Sequence, residues 1–148
     1  MILQILTYTH NTTTLLFGVF LSAFFLGVKQ DKKNVLQLLL LAVVSGMLYI
    51  ISAFCIGTAM VDQVYPLIVH VPLLCVLVLY YKFRPLPALI SIFTAYLCCQ
   101  CSNWMGLFAL ALTGQEWCYY VCRILVTVGV FILLCRYVCQ TTAMLFAK

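Results

Sequence analysis

Apart from one arginine deep in an apolar stretch, the charged side chains of this chain fall at its end or beside short breaks between long apolar runs. Hydrophobic residues make up 66% of the 148 positions and charged residues only 7%. A soluble domain carries about 25% charged residues and needs them to cover its surface. A chain this poor in charge can be covered by lipid instead. The expected fold class is therefore all-α, a polytopic helical membrane bundle.

Crossing a bilayer takes about 20 apolar residues per helix. The apolar runs then give five spans, over residues 8–28, 35–58, 65–81, 88–112 and 117–138, in one transmembrane domain covering residues 1–148. The first run is strictly apolar only from Leu15 and reaches full length by including the polar stretch from Tyr8 to Thr14. Asp62 and Gln63 mark the second break, and Lys82 to Pro87 form a basic, proline-stiffened turn. Lys29, Lys32, Lys33, Lys82, Arg84, Arg136 and Lys148 fall on one side of such a bundle, Asp62 and Glu116 on the other. Because basic loops stay in the cytoplasm, the N-terminus is expected outside and the C-terminus inside. Met1 to Thr14 contains no Lys or Arg, so the first segment reads as a retained span rather than a signal peptide. The net charge of +5 is a topology signal, with no dense basic run suited to nucleic acid.

Nine cysteines invite a metal reading. The densest cluster is Cys98, Cys99 and Cys101. Successive helical residues diverge by about 100°, so these thiols do not converge on one ion. They read as packing residues, with no metal and no cofactor expected. Cys139, near the inner surface, is a candidate for palmitoylation. His10 and His70 both lie toward the outer side, and His70 is expected to hydrogen-bond a neighbouring helix. Pro66 and Pro72 either kink the third span beside a cavity or, for Pro66, occupy the first turn harmlessly. Gly18 with Ser22, Ala23 with Gly27 and Ala53 with Gly57 are small-xxx-small pairs, which predict close packing of the first two spans or a dimer seam.

The polar residues of the last two spans form stripes. Tyr96, Gln100 and Trp104 recur at four-residue steps, flanked by Cys99 and Asn103. Glu116, Tyr120, Arg123 and Thr127 follow a matching spacing. Arg123 is the one charge that topology does not explain. At lipid depth an arginine costs about 2.5–3.5 kcal/mol on insertion scales, so it should find partners. Glu116, Gln100 and Tyr96 are the expected acceptors. The stripes then read either as an outward-open polar pocket, with Arg123, Glu116, Gln100, Tyr96, Asn103, Trp104 and His70 as ligand-binding residues, or as a structural clasp between two helices. No residue is expected to be catalytic: there is no phosphate-binding glycine loop, nucleophile elbow or HExxH motif.

Two stretches carry a family resemblance. One is Tyr65-Pro66-Leu67-Ile68-Val69-His70-Val71-Pro72-Leu73. The other runs from Ala95-Tyr96-Leu97-Cys98-Cys99-Gln100 through Ser102-Asn103-Trp104-Met105-Gly106-Leu107 to Leu110-Ala111-Leu112-Thr113-Gly114. Together they resemble the N-terminal membrane sensor region of Clostridia-type bacterial GHKL sensor histidine kinases. The resemblance implies a multi-pass sensor in the bacterial cytoplasmic membrane that passes helix motion inward. Such receptors continue into a dimerisation segment and an ATP-binding domain, and neither is found before Lys148. The expectation is a truncated sensor, a gene fragment or a stand-alone module, and not itself an enzyme. Its expected partners are the lipid bilayer, a second copy, and a peptide or small-molecule signal, with no nucleic acid. The competing readings are a small oligomeric transporter or channel subunit and, more remotely, a membrane cysteine peptidase using His70 and Cys75.

Overall fold

The computed structural model describes residues 2–139 and 141, without the side chains of Thr58, Ala59, Asp62, Gln63 and Pro66. The expectations for Lys148 and for the side chains of Asp62 and Pro66 lie outside the described residues. The chain is all-helical: α1 (Ile2–Phe25), α2 (Lys32–Ile56), α3 (Thr58–Cys75), a π-helical turn (Val76–Tyr80), α4 (Pro85–Thr113) and α5 (Glu116–Tyr137). Among the described residues there is no strand. Three helices, α2, α4 and α5, are long and apolar enough to cross a membrane.

The breaks between helices have local causes. Asp31 caps α2, its side chain accepting from the Asn34 amide at 2.8 Å, a contact that contributes about 1 kcal/mol. Between α2 and α3 the break falls at Gly57, with φ +85°, not at Asp62 and Gln63 as the polarity pattern suggests. Glycine reaches that backbone conformation without steric cost. The backbone at Asp62 and Gln63 is helical. Pro66 is consequently nine positions into its helix rather than in the first turn. After Pro72 the α-helical bonding loosens into the π turn, where the Tyr81 amide bonds Val76 at 3.1 Å. Pro85 sits in the first turn of α4, where a missing N–H is harmless, so that helix starts three residues before the expected Ala88. Gly114, in the left-handed region, ends it.

Helix α1 runs through the middle. It packs against α2, α4 and α5, while α3 packs against α2 and α4. Eight residues of α1 are buried, from His10 through Phe17 and Leu21 to Phe25, against three in α2. The polar first half of α1 is mostly exposed, with His10 alone buried, and Thr7, Thr9 and Thr13 turn their hydroxyls onto carbonyls four residues back. Antiparallel pairing follows from Gln37 bonding Tyr80 at 2.6 Å and Tyr49 packing edge-on to Tyr65. One end of the bundle gathers the loops around Gly27 and Lys82, with Lys29 and Arg136 lining one groove. This is the basic end. The opposite end holds the start of α1, Gly57 and Gly114.

The bundle is apolar outside. On α2, Leu36, Leu40, Val43, Met47, Ile51 and Phe54 form an exposed stripe, Phe54 being 88% exposed. A water-facing protein buries such a stripe. Helices α1 and α2 do pack together as the small-residue pairs predict, but Gly18 is not part of a close approach. A Cβ added at Gly18 would meet nothing within 4 Å, because Gly18 opens onto a cavity. The tight approach lies elsewhere, at Gly106 of α4. A Cβ there would collide with the Arg123 stem and stand 3.0 Å from Tyr119 Cδ2.

Candidate functional site

Helices α1 and α3 do not close on each other, and a cavity of about 190 Å³ lies between α1, α3, α4 and α5. Its wall on α4 comes from Tyr96, Cys99, Gln100 and Asn103. These residues stand at i, i+3, i+4 and i+7, the spacing that keeps side chains on one helical face. Trp104, at i+8, has turned about 80° away and is 70% exposed on the exterior. The four-residue stripe expected to carry Trp104 therefore drifts off the site. Helix α3 contributes His70 and Tyr65, α1 contributes Thr14 and Gly18, and α5 contributes Arg123.

Arg123 finds a partner, but none of the expected ones. Its Nη1 donates to the Tyr119 hydroxyl one turn earlier, and its guanidinium lies 5.0 Å from the Tyr119 ring centroid. The Tyr119 hydroxyl donates in turn to Asn103 Oδ1 across the helix interface at 3.1 Å. This relay clasps α5 to α4. Glu116, about 10 Å further along α5, is exposed in the first helical turn and takes no part. The sequence did hold the signal for Tyr119, which is four residues before Arg123 and so its neighbour on the helix surface.

The clasp leaves polar atoms unused. Arg123 Nε is buried without a hydrogen-bond partner, and so are both ring nitrogens of His70. The expected bond from His70 to a neighbouring helix is not made. Its ring instead packs edge-on against Tyr96 of α4, with centroids 6.1 Å apart. Buried polar groups are nearly always paired, so three idle nitrogens around one cavity stand out. His10, absent from the sequence-based site, is buried beside it. Its ring lies 6.1 Å from that of Tyr120, and its Nδ1 is 3.5 Å from the Thr14 hydroxyl.

The thiols scatter. Cys99 alone of its cluster lines the cavity, while Cys101 is exposed. Cys122 Sγ bonds the Met105 carbonyl of α4 at 3.5 Å. Among the described residues, no three His, Cys, Asp or Glu side chains converge as metal ligands. Cys75 is exposed while His70 lines the cavity, so the two do not form a nucleophile–base pair. Cys139 is buried against the core, and burial removes the access that acylation at an inner surface requires.

Searches of protein-family models, curated proteins and solved structures find no match to this chain.

Proposed function

We propose that the chain is a multi-pass membrane protein whose five helices all lie in the bilayer, with the N-terminus outside, and that it works as a sensor module. The observation that carries this reading is the cavity, whose otherwise mostly apolar wall includes Arg123 and His70, side chains that leave three buried nitrogens without a hydrogen bond. An empty clasp would pair these atoms. Mostly apolar pockets with a few convergent polar groups are the usual place for a small ligand. The apolar exterior supports the bilayer as surroundings. The gathering of Lys29, Lys82 and Arg136 at one end supports an inward basic face. Helix α3 supplies the route for a signal. It carries His70 in the cavity wall and continues past Pro72 into the π turn. Tyr80 and Tyr81 at its end bond Gln37 and Asn34 of α2. π turns of this kind are frequent at functional sites and, like prolines, are places where helices bend.

The orientation predicts that an epitope inserted after Gly114 is reached by antibody in intact cells. One inserted after Lys82 is reached only after permeabilisation. Exposure of both on the same side would overturn the five-span arrangement.

The sensing role is tested by filling the cavity. Gly18→Leu directs a side chain into open space, since a Cβ there meets nothing within 4 Å. In nanodiscs the variant is expected to fold and to change hydrogen exchange of the 76–83 segment at least twofold. Unchanged exchange there, with loss of solute flux through reconstituted vesicles, would overturn the sensor in favour of a carrier.

A further inference from the structure

The cavity is not uniform along its length. Asn103 and Ile92 lie about 16 Å apart along α4, and both line it. At the Asn103 level the wall holds Arg123, Gln100 and Thr14. Toward Ile92 it holds Leu73, Ala95 and Gly18. The one hydroxyl at that apolar end, Ser22, is turned back onto the Gly18 carbonyl at 2.7 Å. Between the two ends stand three rings, Tyr65, His70 and Tyr96. Among the described lining residues Arg123 is the only permanent charge, and none is Asp or Glu.

A half-buried guanidinium with a buried, unpaired Nε and no carboxylate beside it is incompletely paired. Tyr119 occupies Nη1 and Nε is closed off by its surroundings, which leaves Nη2 as the donor for an occupant. Charge-assisted hydrogen bonds from a guanidinium favour a carboxylate, and a lone cation in an apolar wall favours an anion. Size limits the rest. An apolar cavity of about 150 Å³ holds a benzene, so about 190 Å³ takes one ring-sized body with a carboxylate attached and excludes a peptide. Resting on the ligand-site reading above, we infer that the cavity binds a small monocarboxylate with an apolar, ring-sized body. The acid group meets the Arg123 guanidinium, and the body lies among Tyr65, His70 and Tyr96.

The experiment uses the full chain in nanodiscs and four probes: phenylacetate, its neutral counterpart phenylacetamide, the cation phenethylamine, and chloride. Calorimetry is expected to show phenylacetate binding at least tenfold more tightly than phenylacetamide. Arg123→Gln should abolish that preference and Arg123→Lys should keep part of it, since a point charge lacks the planar fork. Gly18→Leu should weaken phenylacetate at least tenfold while Arg123 stays in place. Equal or tighter binding of phenylacetamide or phenethylamine, still sensitive to Gly18→Leu, overturns the carboxylate assignment and leaves the cavity a ligand site. Saturation by chloride alone also overturns it. If none of the four probes binds in a way that Gly18→Leu weakens, both this inference and the ligand-site reading fall.

Discussion

Gly106→Val is expected to lower the stability of the bundle by about 1–3 kcal/mol, the usual cost of forcing extra methyl groups into a packed contact. The cause is local. Helices α4 and α5 approach at Gly106 so closely that even a first side-chain carbon would stand 3.0 Å from Tyr119 Cδ2 and from Arg123 Cδ, and closer still to Arg123 Cγ. Tyr119 cannot yield without dragging its hydroxyl off Asn103. Arg123 cannot yield near its root without leaving the cavity wall. The substitution therefore damages the packing and the polar relay together. Gly18→Ala and Gly129→Ala serve as contrasts, because a Cβ at either position meets nothing within 4 Å. Both should be neutral or stabilising by up to about 1 kcal/mol, through lower backbone entropy in the unfolded chain. Thermal unfolding of all three variants in nanodiscs checks the ranking. A Gly106→Val protein as stable as the parent would mean that α4 and α5 do not meet at this glycine.

That contact also shows what the sequence could and could not reveal. Apolar runs bounded by charge made α2, α4 and α5 legible to within three residues at each end, because composition and length suffice for such helices. The second break was misread. Polarity pointed to Asp62 and Gln63, whereas the chain turns at Gly57, where backbone freedom outweighs side-chain polarity. On α4, the face of Tyr96, Gln100 and Asn103 was legible from helical spacing, and Trp104 was carried along by a step of four that accumulates an error of about 40° per turn. Beyond α1 against α2, pairings between helices were not legible. Small-xxx-small pairs occur on several faces, and nothing local distinguishes Gly18, which opens a cavity, from Gly106, which closes an interface. His10 comes to lie beside the site only because α1 packs against α5 there, a property of the assembly rather than of its own neighbours in sequence.

Tyr119→Phe should be more damaging than its size suggests, destabilising by about 2–4 kcal/mol. Removing one hydroxyl strands two groups, Arg123 Nη1 and Asn103 Oδ1, which both lean on it. Both groups are part-buried, so each left unpaired costs toward the lower end of about 1–3 kcal/mol. Arg123→Leu should behave in the opposite way. It deletes a charge that lies at lipid depth in the proposed arrangement, where an arginine costs about 2.5–3.5 kcal/mol on insertion scales, so insertion and stability should be kept or improved. The ligand-dependent change at the 76–83 segment should nevertheless vanish, because the cavity has lost its one cationic group. Arg123→Lys should restore it in part. The double variant Tyr119→Phe with Arg123→Leu should be at least about 1 kcal/mol more stable than the two single effects added together, since Tyr119→Phe no longer strands a cation. What remains of its loss belongs to Asn103. Strictly additive effects would show that Tyr119 and Arg123 act independently, and the clasp between α4 and α5 would then have to be sought elsewhere. A full response from Arg123→Leu would make the arginine a structural element and remove the main support for a sensing cavity.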